Sequence, residues 1–349
     1  MAWAEFKLLV KRRFLHWDHH PNKHVAIQKT KMKITDHISS AAGKTLFSFE
    51  LLPPVKGQSI QGIYDAIDPL MEFNPPFIDV TYHREDYIYK QHDSGLLEKV
   101  SYRKRPGTVA ICAAIMNRYK VDAVPHLICG GFTKEETENA LIDLQFLGID
   151  NVLVLRGDAR KADASFIPTP GGHAYACDLL EHVVNMNKGK YLHEDIDTIN
   201  GTDFCIGVAG YPEKHFEAPN MKADFKYLKQ KIEMGAEFIV TQMFFDNSKY
   251  MDFVAKCREN GINVPIIPGL KPITNSKQLM NLPKHFHIDI PEDLSDAVLK
   301  CKNEKEVKEI GIEFMIEQCK ELVKFGAPVL HFYTMSNPES TKKIAEAIF

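Results

Sequence analysis

One pattern recurs four times along the chain: an amphipathic helical segment, a glycine, a short loop and a run of apolar residues. In the clearest copy, Thr133 and Glu136 have the spacing of a capping box, and Gly148 ends the helix before an apolar run at 152–155. The other copies carry their glycines at positions 235, 261 and 326. A helix that leads through a short loop into a buried strand is half of a β-α-β unit. The repeat therefore predicts a parallel sheet covered by helices on both faces.

Apolar segments alternating with helical patterns predict eight strands. They cover residues 45–50, 77–82, 123–128, 152–156, 204–210, 238–243, 264–268 and 329–333. Eight such units in roughly 300 residues predict an α/β fold, a single-domain (β/α)8 TIM barrel over residues 32–349. A doubly wound sheet is the alternative. That fold usually carries a glycine-rich phosphate loop after its first strand, whereas here Leu-Leu-Pro-Pro at 51–54 follows the first strand.

The first 31 residues differ from the rest of the chain. They contain both tryptophans, four histidines and seven Lys or Arg against two acids, a local charge of +5 in a chain of net charge −3. No apolar stretch there precedes a small-residue cleavage site, so the segment does not resemble a secretory signal. We expect residues 1–31 to be a basic N-terminal extension, disordered or not part of the native protein, with translation starting at Met32. A metal-binding or basic arm is the alternative.

Composition narrows the range of partners. The net charge of −3 gives no bulk attraction to nucleic acid or anionic lipid, and no uninterrupted apolar run is long enough to cross a membrane. The seven cysteines are odd in number, scattered and never spaced as C-x-x-C. This usage indicates reduced thiols in a cytoplasmic protein and no metal site.

The carboxyl ends of the strands, where barrel enzymes build their active sites, carry polar residues. Glu50 and Asp158 would supply a proton donor and a group that stabilises a cation. Arg156, His126 and Lys231 would hold a phosphorylated ligand. Each residue alone has a purely structural explanation, such as capping the next helix. Together they predict an enzyme site.

Eight short motifs follow one another in the chain, one per predicted strand. They lie at residues 47–54, 80–82, 125–127, 155–158, 209–213, 241–245, 267–270 and 331–334. In sequence, order and spacing they resemble the methylenetetrahydrofolate reductases, and the chain length resembles the bacterial form of that family. The resemblance implies a barrel with non-covalent FAD and a homo-oligomer. It also implies ping-pong reduction of 5,10-methylenetetrahydrofolate by NADH or NADPH, with NADH favoured.

The resemblance also implies roles for individual residues. Glu50 matches the general acid that opens the imidazolidine ring of the folate, and its task predicts a pKa raised by burial. Asp158 matches the acid beside the flavin. The positions that match FAD-binding residues are Thr81, Tyr82, His126, Arg156, Gly157, Asp158, Tyr211, His215, Asp224 and Lys231. Gln242 and Gln278 match positions that contact the folate.

The sequence departs from the family pattern at two places. His83 and Arg84 stand where small residues are expected, and Asn337 stands where a folate-binding arginine is usual. The loop at 159–174 is longer than the pattern requires, which indicates either a lid over the flavin or a solvated surface loop. Two functional alternatives stay open: another flavin-dependent (β/α)8 oxidoreductase, and a non-catalytic folate-binding barrel.

Overall fold

A computed structural model describes residues 32–102, 105–160, 163, 165–193, 200–335 and 337–349. The prediction for residues 1–31 lies outside this part of the chain. The strands are β1 (Leu46–Leu51), β2 (Phe77–Val80), β3 (Asp86–Gln91), β4 (Leu97–Tyr102), β5 (Asp122–Ile128), β6 (Asn151–Leu155), β7 (Cys205–Gly210), β8 (Phe238–Thr241), β9 (Ile266–Ile267), β10 (Gly269–Leu270) and β11 (Val329–Tyr333).

Helices follow nearly every strand. They are α1 (Ile34–Ser40), α2 (Gln61–Ile67), α3 (Thr108–Tyr119), α4 (Lys134–Leu147), α5 (Ala176–Asn187), α6 (Met221–Met234), α7 (Asn247–Glu259), α8 (Gln278–Phe286), α9 (Glu292–Leu299), α10 (Glu304–Phe325) and α11 (Pro338–Ile348), with a 3-10 helix at Asp68–Phe73. In the clearest repeat unit, Thr133 and Glu136 exchange both hydrogen bonds of a capping box. Gly148 ends that helix at φ 71°, a left-handed conformation that costs glycine least.

The parallel strands close into a barrel, which confirms the predicted fold. Their order is β10-β11-β1-β2-β5-β6-β7-β8-β9. The two ends of this series belong to one chain segment, because β9 pairs with β8 and β10 pairs with β11. Pro268 separates β9 from β10 and has no N–H for a ladder bond, while its carbonyl accepts the His331 N–H at 3.2 Å. The predicted seventh strand is thus two short pairings on opposite neighbours.

The lower half of the barrel interior is apolar. Inward side chains from seven strand segments meet there with Ile34 of α1: Phe77, Val124, Leu153, Cys205, Phe238, Val240, Ile267 and Val329. Helix α1 covers this end of the barrel, since the Ile34 N–H donates to Asn151 Oδ1 at 2.9 Å. His37 Nε2 and Asp122 Oδ2 lie 2.6 Å apart at the same end. The sequence analysis identified no element at α1.

A β-hairpin made by β3 and β4 is a second addition to the predicted barrel. It follows β2, at the end of the barrel where the candidate site residues lie, and pairs antiparallel from Asp86↔Tyr102 to Gln91↔Leu97. Arg160 lies over the Tyr87 ring, so the hairpin contacts the loop after β6. No helix in the described ranges is long and apolar enough to cross a membrane.

Candidate active site

Above the apolar layer, the inward positions of the barrel are polar. Strand alternation puts Ser48 and Glu50 of β1 on the inner face, because Phe47, Phe49 and Leu51 pack outward against the helices. The neighbouring register pairs Glu50 with Asp79 of β2 and with Tyr333 of β11. Polar groups at one level of adjacent strands therefore lie side by side at the barrel mouth.

Three ionisable side chains form the centre of this layer. His126 Nε2 lies 3.3 Å from Asp79 Oδ2 and 3.9 Å from Glu50 Oε2. The exposed fraction of the side chain is 12% for Glu50, 8% for His126 and 1% for Asp79. Asp79 and Glu50 both attract the His126 proton, and together they raise the pKa of His126 in spite of its burial. The imidazole is the shared partner of two carboxyl groups.

Glu50 has the properties expected of a buried acid. Removal from water raises its pKa to about 7, and the negative charge of Asp79 acts in the same direction. His126 and Lys271 act in the opposite direction, because their positive charges favour the ionised carboxylate. The Thr334 hydroxyl donates to the Glu50 carbonyl oxygen at 2.7 Å and fixes the end of β1. Glu50 can therefore both carry and release a proton near neutral pH.

The floor under Glu50 is closed by residues of β1, β8, β10 and β11. His331 Nδ1 lies 2.8 Å from Ser48 Oγ, and the Tyr333 hydroxyl donates to the Thr241 carbonyl at 2.5 Å. Glycine is required at position 269, since a Cβ there would lie 2.2 Å from both the Thr241 oxygen and the Tyr333 hydroxyl. These contacts separate the polar layer from the apolar interior below.

A second cluster holds five of the ten residues predicted to bind FAD. Arg156, after β6, pairs with Glu217 at 2.5 Å. Asp224 of α6 accepts the backbone N–H of His215 at 2.9 Å, and the rings of His215 and Tyr211 lie 4.7 Å apart. Loop and helix residues from two successive repeat units thus meet here.

Lys231 extends this cluster along α6. Its Nζ donates to the Ala209 carbonyl at 2.9 Å, and burial lowers its pKa against the attraction of Cys177 and Asp224. The Tyr211 hydroxyl is buried within electrostatic range of Arg156 and Asp158, and burial raises its pKa. Burial raises the pKa of Tyr333, and Glu50 and Tyr211 act in the same direction, so Tyr333 lies between the two clusters.

The remaining predicted flavin residues surround the cleft at the mouth of the barrel. Asp158 is exposed, and Gly157 before it is in a left-handed conformation at φ 82°. The Thr81 hydroxyl donates to the Leu51 carbonyl at 3.1 Å, and the Tyr82 ring packs 4.9 Å from that of Phe132.

The two residues that depart from the family pattern after β2 lie beside them. His83 Nε2 is 3.3 Å from Thr81 Oγ1. Arg84 packs against Gly130 and Gly131 after β5. Both side chains therefore contact positions at the edge of the cleft.

The two predicted folate residues, Gln242 and Gln278, use their side-chain oxygens in the same way, whereas Asn337 has a different role. Gln242 continues β8, and its side-chain oxygen accepts the N–H of Met243 at 3.0 Å. Gln278 begins α8, and its oxygen accepts the N–H of Thr274 at 2.6 Å. Among the residues that the structure describes, neither side-chain NH2 group makes a hydrogen bond, so both are open to a ligand. Asn337 instead accepts the Glu339 N–H at 3.4 Å and caps α11.

Glu213 belongs to the motif at residues 209–213 but lies outside the cleft. Its Oε2 accepts the Asp289 N–H at 2.8 Å, and burial raises the pKa of its carboxyl. It borders a cavity of about 390 Å³ between α6 and α7, into which Lys249 and Lys256 also project. The motif thus divides, with Tyr211 facing the cleft and Glu213 facing this cavity.

Four residues of the cleft were missed by the sequence analysis: Asp79, Lys271, His331 and Glu217. Asp79 and His331 are inward positions on strands, and Lys271 directly follows β10. Alternation counted from a neighbouring core residue would have identified all three. Glu217 lies in an irregular loop, and no periodic signal marks it.

Comparison with known proteins agrees with the motif order. A family model described as "Methylenetetrahydrofolate reductase" matches residues 33–348. Methylenetetrahydrofolate reductase (NADH) 1 of Arabidopsis thaliana is 34% identical over 321 residues, 88% of this chain and 49% of the relative. Methylenetetrahydrofolate reductase 2 of Saccharomyces cerevisiae is 34% identical over 91% of this chain and 50% of the relative.

A bacterial relative is matched over more of its length. The 5,10-methylenetetrahydrofolate reductase of Pectobacterium carotovorum subsp. carotovorum is 29% identical over 90% of this chain and 94% of the relative. The chain thus spans about half the length of the plant and yeast relatives and nearly all of the bacterial one.

Proposed function

Because the chain belongs to the methylenetetrahydrofolate reductase family, we propose that it reduces 5,10-methylenetetrahydrofolate to 5-methyltetrahydrofolate with NADH or NADPH as reductant. The observation that carries this proposal is Glu50, a carboxyl at the barrel mouth whose pKa is raised to about 7. The substrate demands such a group. Its five-membered ring opens to an iminium only when the departing nitrogen is protonated, and the acid must be protonated at working pH.

Glu50 then acts as the general acid. Its O–H bond breaks as an N–H bond forms on the departing ring nitrogen, and the electron pair stays on the carboxylate. The opened folate is cationic. Asp158, an exposed carboxyl at the same mouth, would stabilise that charge. Gln242 and Gln278 would donate their side-chain NH2 groups to the folate, since their oxygens are held by neighbouring backbone.

The second cluster fits FAD by the chemistry of its donors. Arg156 and Lys231 offer two positive charges to a diphosphate. Arg156 has N–H groups beyond the one it gives to Glu217, and Lys231 has N–H groups beyond the one it gives to Ala209. Tyr211 and His215 add hydroxyl and ring donors at the same edge of the barrel, and the Thr81 hydroxyl oxygen adds an acceptor. FAD bound there would take hydride from the nicotinamide and deliver it to the folate. We propose a ping-pong order, with reductant and folate using one cleft in turn.

An anaerobic absorption experiment tests the proposal in one cuvette. The purified protein is expected to show a flavin spectrum, to bleach with NADH or NADPH and to regain colour with methylenetetrahydrofolate. Running the two reductants side by side decides the preference between them. A flavin that bleaches but is not reoxidised by the folate would exclude folate reduction and favour another flavin-dependent oxidoreductase. A protein that neither retains nor binds FAD would refute the cofactor assignment.

A further inference from the structure

Lys271 directly follows β10, on the inner face of the barrel. Ile267 points inward into the apolar interior, whereas Leu270 packs outward. Alternation then makes 269 and 271 inward positions, and the close approach of Gly269 to Tyr333 supports this. Gly269 is level with His331 in β11, so Lys271 is level with Tyr333, the residue paired with Glu50.

The surroundings of Lys271 contain one charge partner. Among the residues that the structure describes, its ammonium makes no hydrogen bond or ion pair within contact distance. Burial lowers the pKa of Lys271, and the attraction of Glu50 opposes that change. A partly buried ammonium is costly unless a negative charge compensates it. Glu50 is the acidic group close enough to do so.

We propose that Lys271 is the counter-cation of Glu50, a positioning residue that stabilises the carboxylate formed when Glu50 gives its proton to the folate. This inference rests on the proposed function. In the transfer Lys271 neither gains nor loses a proton. Its charge lowers the free energy of the carboxylate left in the partly buried cleft, and the stabilisation grows as the O–H bond breaks.

The other groups that face Glu50 do not replace this charge. His126 of β5 also favours the carboxylate, but its Nε2 lies closer to Asp79, at 3.3 Å, than to Glu50, at 3.9 Å. Asp79 of β2 opposes ionisation of Glu50, and Tyr333 of β11 is a neutral phenol whose pKa burial raises. Lys271 is thus the cation on the opposite side of Glu50 from β2 and β5.

The test compares Lys271→Met with Lys271→Arg, and with Lys277→Met as a matched control at an exposed lysine on the same segment. The first readout is direct titration of Glu50 in the holoenzyme by ¹³C NMR of glutamate carboxyls, the signal being assigned by its loss in Glu50→Gln. Loss of the cation is expected to raise the apparent pKa of Glu50 by about one unit in Lys271→Met. Lys271→Arg and Lys277→Met are expected to titrate as wild type.

The second readout is the pH profile of the folate half-reaction. In Lys271→Met its alkaline limb is expected to move upward by the same amount. Its rate at about pH 6, where Glu50 is mostly protonated in both proteins, is expected to fall severalfold, because Glu50 is a weaker acid. Reduction of the flavin by NADH is expected to stay unchanged. Unmoved Glu50 titration and alkaline limb in Lys271→Met would overturn the inference. If the wild-type protein itself fails to reduce the folate, the proposed function fails instead.

Discussion

Glu50 and Glu213 show how position decides the chemistry of a residue. Glu50 lies near the end of β1 and Glu213 follows β7, and burial raises the pKa of both carboxyl groups. One carboxylate oxygen of Glu213 accepts a hydrogen bond from the Asp289 N–H, and the side chain borders a separate cavity. Glu50 faces His126 and Asp79 in the mouth of the barrel. Only Glu50 is placed to give a proton to a ligand in the cleft.

Replacing Glu50 by Gln separates the two half-reactions. We expect NADH to reduce the flavin at a near-normal rate, whereas folate reduction falls by about 10²–10⁴-fold because only that step needs a proton. Anaerobic stopped-flow absorption measures both rates. Glu213→Gln is the matched control and is expected to leave both close to wild type. Equal loss of both half-reactions in Glu50→Gln would give Glu50 a structural role.

Glu50→Gln is expected to slow folate reduction but to raise the stability of the fold. The folded-state pKa of Glu50, about 7, lies above the 4.5 of an unperturbed glutamate, so the folded protein holds a proton that the unfolded chain releases. Stability is therefore lost as pH rises from about 4.5 to 7, and the full cost persists above 7. We expect Glu50→Gln to raise the free energy of unfolding by about 1–3 kcal/mol at pH 8 and by little at pH 4.5. Urea unfolding at the two pH values measures this; equal effects would contradict it.

Asp158 tests the electrostatic part of the proposal. We expect Asp158→Asn to slow folate reduction and to shift the flavin potential, because a negative charge is removed from the mouth of the cleft. Potentiometric titration and the folate half-reaction give the two quantities. Glu135→Gln, an exposed acid on α4, serves as a control. An unchanged potential together with an unchanged rate would remove Asp158 from the mechanism.

At the scale of the elements, the loop after β6 is fastened to two helices by histidines. His173 Nε2 lies 3.0 Å from His182 Nδ1 of α5, and His182 Nε2 lies 3.5 Å from Glu138 Oε2 of α4. Glu138 also accepts the N–H of Leu192 at 2.8 Å. At least at its C-terminal end, the loop is therefore packed into the fold.

This fastening is expected to weaken in acid. Burial and the neighbouring His182 lower the pKa of His173 to about 4, below the 6.5 of an unperturbed histidine. The unfolded chain therefore binds a proton first as pH falls, and stability is lost between about 6.5 and 4. We expect His173→Gln to reduce that loss by roughly 1–3 kcal/mol in urea unfolding at pH 7 and 4.5. His285→Gln, at an exposed histidine, is the control. The same acid loss in His173→Gln and wild type would contradict this account.

At the scale of the whole molecule, α1 completes the barrel. Ile34 is fully buried in the apolar interior, and Asn151 ties α1 to β6 from both sides through the Ile34 N–H and the Met32 carbonyl. The apolar lower layer and the polar upper layer are thus sealed from water at one end. The cleft opens at the other.

Ile34→Ala tests this division. We expect a loss of about 2–4 kcal/mol in the free energy of unfolding, since a fully buried side chain leaves a cavity. Ile38→Ala, at a half-buried position of the same helix, is expected to cost less. FAD content and the Glu50 titration are expected to stay unchanged, because both depend on the other end of the barrel. A cost no larger than that of Ile38→Ala would show that α1 does not seal the core.

The sequence by itself determined the eight-stranded barrel. Capping residues, helix-ending glycines and buried strands are local signals, and each acts through the few residues around it, as at Thr133, Glu136 and Gly148. It also identified Glu50, because residues that end parallel strands meet at one face. The hairpin Asp86–Tyr102 and α1 were not predicted because neither carries the repeated pattern. Helix α1 nevertheless packs onto the barrel interior through Ile34, and the hairpin contacts the loop after β6.

Only the tertiary structure decided which polar residues share an environment. Asp79 and His126 are 47 positions apart and Lys271 is further still, yet all three act on the charge of Glu50. Their juxtaposition depends on barrel closure and strand register, which bring distant segments to one level. The same closure removes Glu50 from water and separates it from Glu213. A pKa is set by this three-dimensional surrounding of charge and solvent, which no local stretch of sequence contains.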